Sequence, residues 1–474
     1  MNCRGPILLL ALGGVLSAAE LHVPEQHPSL QHAIDAATAG DTILVAPGTY
    51  RERIALKPGI TLRSRGADVR GERAFRRAEM TVIDGNGKTD ATPGVTMAEG
   101  ATLDGFTITH VGEYDEARWQ EHWQERGRNQ KHSDIGHFGV PAVAVAGVNC
   151  QVLNNVVRHN GDIGIAVRGK SDRPGTTLIA GNFCHRNMGG GIGSMMGSTA
   201  VIRNNECFEN FYAGIGQDDA SPTITDNDCH HNIRAGIGIS EGSCPIVSNN
   251  RCHHNRRAGI GIRTGATTRP LVMDNHCHDN GMAGIGVEEQ AAPLLRQNRC
   301  RNNQLAGIGC QEHSTPLLVE NLCLENASAG IGIYSANPIL IGNRCEQNRT
   351  AGIGISGNSH AILLGNQCVD NRLVAVGVPD GGTALLRENT LVRAGKGPPM
   401  VAVLKGARVT LTDNTIRGGG GAGIIVDGRL VATGNTLTGQ AGGVGIALRA
   451  KATAVLRDNQ ITGYRVPVRA LKKD

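Results

Sequence analysis

Asn227-Asp228-Cys229-His230-His231-Asn232-Ile233-Arg234-Ala235-Gly236-Ile237-Gly238 is one of nine consecutive copies of a single pattern, Asn-x-Cys-x-x-Asn-x-x-Ala/Gly-Gly-Ile-Gly, which runs with small lapses from Asn182 to Gly377. The first asparagines are Asn182, Asn205, Asn227, Asn250, Asn275, Asn298, Asn321, Asn343 and Asn366, so the steps are 23, 22, 23, 25, 23, 23, 22 and 23 residues. A fixed period of this size marks a solenoid, whose units bury their apolar faces only against their neighbours.

The content of the repeat selects the kind of solenoid. The Leu-x-x-Leu-x-Leu signature of leucine-rich repeats is missing, and no stretch inside a repeat shows a helical apolar period. Each unit instead offers a run such as Pro245-Ile246-Val247 before the asparagine and a Gly-Ile-Gly-Ile run after it, with turn residues between. This predicts an all-β fold: a right-handed parallel β-helix of about 22–25 residues per coil with an N-terminal capping helix. Rungs of such a stack lie about 4.8 Å apart, so equal positions form ladders. Cys184, Cys207, Cys229, Cys252, Cys277, Cys300, Cys323, Cys345 and Cys368 form one; Ile192, Ile215, Ile237, Ile260, Ile285, Ile308, Ile331 and Ile353, ended by Val376, form another. The asparagines are expected in the turns, tolerating left-handed backbone and bonding to their neighbours above and below.

Composition fits a long, thin core: 66 Gly, 3% aromatic and 40% hydrophobic residues in 474. The formal charge of +5 falls to +4 (46 basic against 42 acidic residues) once Arg4 is removed with the leader described next, too weak a balance to argue for nucleic acid. Residues 1–19 join Arg4, the apolar Ile7-Leu8-Leu9-Leu10-Ala11-Leu12 and the small Ser17-Ala18-Ala19, which predicts a secretory signal and a periplasmic or extracellular protein. No other stretch comes near the 18 apolar residues of a membrane span. Residues 20–110 are expected to form the N-terminal cap and first coils, 111–139 an insertion on one face, and 140–474 the repeats and a C-terminal cap, in one elongated monomeric domain. Twelve cysteines remain after the signal; an evenly repeated column of nine fits buried thiols better than disulfides, while Cys150, Cys244 and Cys310 stand outside it.

Ser29-Leu30-Gln31-His32-Ala33-Ile34-Asp35-Ala36-Ala37, then Gly40-Asp41-Thr42-Ile43-Leu44-Val45 and Pro47-Gly48-Thr49-Tyr50-Arg51-Glu52, resemble the opening segment of the pectate-lyase-like β-helix superfamily. Physically this is a short amphipathic helix with Ser29 as N-cap, followed by the first strand. The resemblance implies the architecture and leaves the chemistry open, since that superfamily holds lyases, hydrolases, esterases, epimerases and non-enzymes. The repeats are also similar to those of β-helix substrate adaptors in ubiquitin ligases, which bind protein and catalyse nothing; a secretory signal argues against that role.

Four features are candidates for function. In Gly-Ile-Gly the isoleucine points inward, so both glycines are expected to face out, as a side-chain-free strip about 40 Å long that suits a flat polysaccharide, or else to relieve bends. Beyond the strip one outward ladder reads Asp218, Ser240, Arg263, Glu288, Gln311, Tyr334, and the next reads Asp219, Glu241, Thr264, Glu289, Glu312. Carboxylates thus converge on one arginine: Asp218, Asp219, Glu241, Arg263 and Glu288 are the catalytic candidates, with Glu312 and Tyr334 as substrate contacts. Resemblance to β-helix lyases acting on uronates implies a divalent cation such as calcium and an arginine base. Gly216-Gln217-Asp218-Asp219 resembles the paired-aspartate motif of polygalacturonases, but that family's Asn-Thr-Asp and Gly-His-Gly companions and the pectin methylesterase motifs are absent.

The third feature is the insertion, which carries both tryptophans; Trp119 and Trp123, at i and i+4, either present aromatic faces to a glycan or dock the segment on the solenoid. The fourth is a run of histidines on adjacent coils: His230, His253 and His278 are metal candidates, flanked by His231, His254 and His276. In this the chain resembles periplasmic β-helix proteins that serve copper-site assembly in nitrous oxide respiration. The sequence therefore predicts a secreted protein that binds, and as lyase or hydrolase cleaves, a polysaccharide; the alternatives are a non-catalytic recognition solenoid and a periplasmic metal-handling protein.

Overall fold

A computed structural model describes residues 18–87, 91–130, 139–170 and 176–470; the expected signal lies almost wholly outside them. Each repeat folds into one coil with three short strands, as in Ile246–Ser248, Arg251–His253 and Ile260–Ile262. Equivalent strands stack into three parallel sheets: a first of 18 strands from Glu20–Val23 to Thr453–Arg457, a second from Gly48–Tyr50 to Gln460–Thr462, and a third from Ile54–Ala55 to Val466–Ala470. Ladder partners are the same position one coil on, Ile237↔Ile260↔Ile285 and Cys229↔Cys252↔Cys277, and the last strands do not return to the first, so each sheet is open at both ends. The fold is the expected right-handed parallel β-helix.

The core is a column rather than a ball. Val247, Cys252 and Ile260, one from each sheet, are all 0% exposed, and the same holds coil after coil. A buried Ile contributes about 1.5–3 kcal/mol, so stability accrues rung by rung. All twelve described cysteines are free thiols; Cys150 and Cys310 are buried with the ladder and Cys244 is exposed. At the N-terminal end the helix Leu30–Ala36, capped by the Ser29 hydroxyl accepting from the His32 N–H, buries Leu30, Ala33 and Ile34 over the first coil.

Two buried asparagine ladders fix the corners on either side of the second sheet, one from Asn155 to Asn459 and one from Asn160 to Asn371. Along the ladders a side-chain carbonyl accepts the amide, and at nearly every step also the backbone N–H, of the asparagine one coil before: Asn205 N and Nδ2 donate to Asn227 Oδ1 at 3.0 and 2.9 Å, while Asn205 Nδ2 also reaches Ile179 O at 2.9 Å. These amides bond above and below as expected, but they do not carry the left-handed backbone. That falls on the residue before each one: Asn204, Asp226 and Asn249 at one corner and Glu209, His231 and His254 at the other have φ between 52° and 56°. The ladder position needs a buried amide facing along the axis, and the preceding, more accessible position takes the turn.

The two glycines of Gly-Ile-Gly also part company. A Cβ on Gly236 would lie 2.8 Å from Gly259 O and 2.9 Å from Asn255 Nδ2, so the first glycine closes the corner against the next coil and does not face out. A Cβ on Gly238 meets nothing nearer than 3.6 Å, and at Gly216 and Gly286 nothing within 4 Å. Gly236→Ala is accordingly expected to cost about 1–3 kcal/mol by overpacking, and Gly238→Ala no more than about 0.5 kcal/mol. Thermal unfolding of the two variants decides this, and equal midpoints would refute the two roles.

Between the strands Thr107–Thr109 and Val143–Ala146 the insertion forms the helix Glu116–Gln124, with Asp115 as N-cap. Trp119 is 2% exposed, packs on Phe211 and Ile233, and donates its indole N–H to Glu209 O at 2.8 Å. Trp123 stacks on it at 5.2 Å, and the guanidiniums of Arg186 and Arg256 each lie 3.8 Å from the centre of one indole. Of the two readings of the pair, Trp119 takes the docking one: a ring buried between Phe211, Trp123 and Arg186 has no face to offer a sugar.

Candidate functional site

The outward glycines Gly216, Gly238, Gly261 and Gly286 floor a hollow of about 520 Å³ on the third sheet, and at about 4.8 Å per rung they extend over about 14 Å, while at the first coil the side chains of Ile163 and Met195 close over Gly193. One wall comes from the turns that lead into the strands, with Asp162, Tyr212, Arg234 and Arg257. The other comes from the residues that leave them, with Asp218, Ser240, Glu241, Arg263 and Glu288. Strand register places Asp218 beside Ser240, and the bonds Arg263 N–H to Ile239 O and Glu288 N–H to Ile262 O carry the same ladder on.

Asp218, Glu241, Arg263 and Glu288 therefore face one cavity. Asp219 does not line it: it sits at φ 48°, exposed, on the turn behind. Glu312 and Tyr334 are exposed on the next two coils, beyond its end.

The charges inside are set by burial and by neighbouring charges, among them the Arg263–Glu289 ion pair. Burial opposes the Arg263 charge, yet its salt bridge to Glu289 outweighs this and its pKa is raised, so the guanidinium stays protonated. Burial pushes the Glu288 carboxyl up, against the pull of Arg263 and with the push of Glu312. Across the hollow Arg234 donates to Gln130 O at 2.9 Å and Arg257 to Gly127 O; burial draws Arg234 down to about 9, still charged at neutral pH. The described part of the insertion thus braces the arginine wall from behind and supplies none of the lining; residues 131–138 lie outside the described residues.

Asp162, Arg234 and Arg257 were not among the sequence candidates. Burial raises Asp162 to about 6, despite backbone N–H bonds from Ile163 and Gly139, and its Oδ2 is buried without a hydrogen-bond partner. The signal that finds this wall is the residue two places after the second asparagine of each repeat, which reads Asp162, Gly189, Tyr212, Arg234, Arg257 and Met282.

His230, His253 and His278 lie elsewhere, on the second sheet, their rings stacked at 4.9 Å from coil to coil. Among the described residues, groups of three side chains with metal-ligand spacing occur only on this face, so the calcium implied by the lyase resemblance meets no preformed triplet in the hollow.

The model for the family described as right handed beta helix region matches residues 128–268, 216–337 and 246–391, together more than half of the chain. The chain belongs to this family. The right-handed β-helix is also the fold implied by the resemblance to the pectate-lyase-like superfamily. No curated protein matches the chain. Solved structures similar to it include the catalytic unit of a thermostable GH87 α-1,3-glucanase from Streptomyces thermodiastaticus strain HF3-3, 12% identical with a TM-score of 0.38. That alignment covers 82% of this β-helix and 66% of the glucanase, just under two thirds of the latter's length. A point mutant of the periplasmic alginate epimerase AlgG is 12% identical over 95% of this chain and 83% of its own, TM-score 0.37, and pectate lyase Pel9A is 13% identical over 74% and 77%, TM-score 0.31.

Proposed function

We propose that the hollow on the third sheet binds an extended, acidic polysaccharide and cleaves it. The observation that carries this reading is the union of a floor free of side chains with walls that hold both fixed cations and carboxyls of raised pKa. A sugar ring laid on the glycines meets backbone, not side chains, and a cavity of about 520 Å³ is within the ordinary range for ligand sites. Arg263, permanently charged, suits a uronate carboxylate, which its planar fork binds bidentately. Glu288, whose carboxyl burial holds above the usual carboxylate range, suits proton donation to a glycosidic oxygen.

Glu241 lies two coils from Glu288, about 10 Å along the axis. Such a spacing lies at the upper edge of the about 6.5–9.5 Å that admits a water between acid and base in inverting hydrolases, and is too wide for a retaining pair, which needs about 5–5.5 Å. Export, expected from residues 1–19, fits a polysaccharide target; the described residues contain no helix long and apolar enough to cross a membrane.

The test is a panel of acidic and neutral polysaccharides, followed both by absorbance of unsaturated products and by new reducing ends, so that elimination and hydrolysis are told apart. Gly261→Leu should weaken binding at least tenfold with unchanged thermal midpoint, because Gly261 lies mid-floor with only Ala235 Cβ, at 3.8 Å, near the added carbon. Binding without either product would make this a recognition solenoid, and no binding to any panel member would refute the reading.

A further inference from the structure

The second sheet carries a polar cluster that the polysaccharide reading leaves unused. Its outward column stacks His185, Phe208, His230, His253 and His278 in sequence, with ring centres 4.6 to 5.1 Å apart. Beside it, in the left-handed corner slot, run His231, His254 and Asp279, with His231 and His254 stacked at 5.1 Å and an angle of 5°. The repeat thus places imidazoles in two neighbouring columns on consecutive coils.

Two groups of three ligand atoms result. One atom each from Asp228, His230 and His253 lies within 4.8 Å of the others, and the same holds for His254, His278 and Asp279. Within the first, His253 Nε2 is 2.9 Å from Asp228 Oδ1; within the second, His278 Nδ1 is 2.7 Å from Asp279 Oδ2. The groups touch through His253 Nδ1 and His254 Nδ1, 2.8 Å apart. A fifth imidazole borders them: the His276 ring is 4.5 Å from that of His278, and its Nε2 is buried with no hydrogen-bond partner. Two imidazoles and a carboxylate are the donor set of zinc and of the neighbouring late first-row ions, whereas calcium and magnesium take oxygen alone. Metal–nitrogen bonds of about 2.0–2.1 Å place tetrahedral ligand atoms about 3.3 Å apart, within reach of modest rotamer changes from the present spacing.

The second group also opens on free space. A hollow of about 470 Å³ is lined by Trp123, Arg126, His231, His254 and Asp279, so an ion there has room for a water or an external ligand. The insertion helix forms its roof, with the Trp123 ring 6.4 Å from that of His231.

We propose that Asp228, His230 and His253 hold one divalent transition-metal ion of the zinc class, and that His254, His278 and Asp279 hold a second beside it, open to solvent under Trp123. The pair shares no residue with the glycine-floored hollow.

The full chain, stripped with chelator, incubated with zinc chloride alone and desalted, is expected to retain two zinc ions per chain by atomic emission. His230→Ala with His253→Ala should leave one, His254→Ala with Asp279→Asn should leave one, and all four together none, each variant being checked for a wild-type far-ultraviolet spectrum. Copper(II) chloride should quench the fluorescence of the Trp119/Trp123 pair in the wild type and lose most of that quenching in His254→Ala with Asp279→Asn. Retention of no zinc by the wild type, or of as much zinc by the fourfold variant as by the wild type, overturns the proposal. Should the fourfold variant fail to fold, loss of one ion from each double variant supports it and unchanged stoichiometry in both overturns it.

Discussion

Ile260→Asp is expected to cost more than about 4 kcal/mol and to open the solenoid around its coil. Ile260 is 0% exposed, between Ile237 and Ile285 in the ladder and facing Val247 and Cys252 of its own coil. A carboxylate there has no cation within the core, so it is either protonated at a high cost in pKa or dragged outward with its strand. Because every coil touches only its neighbours, the damage should be local: limited proteolysis should find new cuts in the adjoining coils while the distant ones stay protected. A soluble variant that melts with the wild type would remove Ile260 from the core.

On a polysaccharide that the wild type degrades, Glu288→Gln is expected to lower turnover by about 10²–10⁴-fold, the usual contribution of a general acid. The pH profile carries the sharper information. A carboxyl whose pKa is raised is active as a donor below that value and inactive above it, so turnover should fall as pH rises through the raised pKa of Glu288. The Gln variant should lose that limb. Arg263→Ala should instead raise KM for uronate-containing substrates, with a thermal midpoint close to wild type, since Arg263 is only part-buried. If both variants kept full activity on such a substrate, the acidic corner would be a solvated edge and the proposed chemistry would fall.

The sequence was most readable where one side chain repeats for one reason. Cysteine and isoleucine columns declared the coil, the inward positions and the register from the chain alone, because core positions admit only small or branched apolar residues. It was ambiguous where one residue type answers to two causes. Gly236 and Gly238 look alike in the chain, yet one is pinned by a carbonyl and an amide of the next coil and the other faces open space; only the corner angle separates them. The asparagines misled in the same way, since the type favoured in left-handed turns is also the type whose amide can bridge two coils, and the second cause won. Asp162 and Arg234 lie in turns, where strand alternation gives no facing, so the second wall of the hollow went unread. Trp119 is not assignable from its own segment, because what buries it, Phe211 and Ile233, arrives 92 and 114 residues later.

The asparagine ladders give the solenoid a one-way electrostatic grain. At each step the side-chain amide of one coil donates to the side-chain carbonyl of the next and never the reverse, from Asn155 to Asn459 and from Asn160 to Asn371. The side-chain dipoles therefore add head to tail, with their carbonyl ends toward the first coil and their N–H ends toward the last, opposite in sense to an α-helix read from its N-terminus. Hydrogen bonds in such a row polarise one another, so a central amide is held more strongly than one at either end. Reversal of a single amide would set carbonyl against carbonyl on one side and N–H against N–H on the other. The corners are thus locked as two continuous files, and the orientation of each amide is inherited from the one before it.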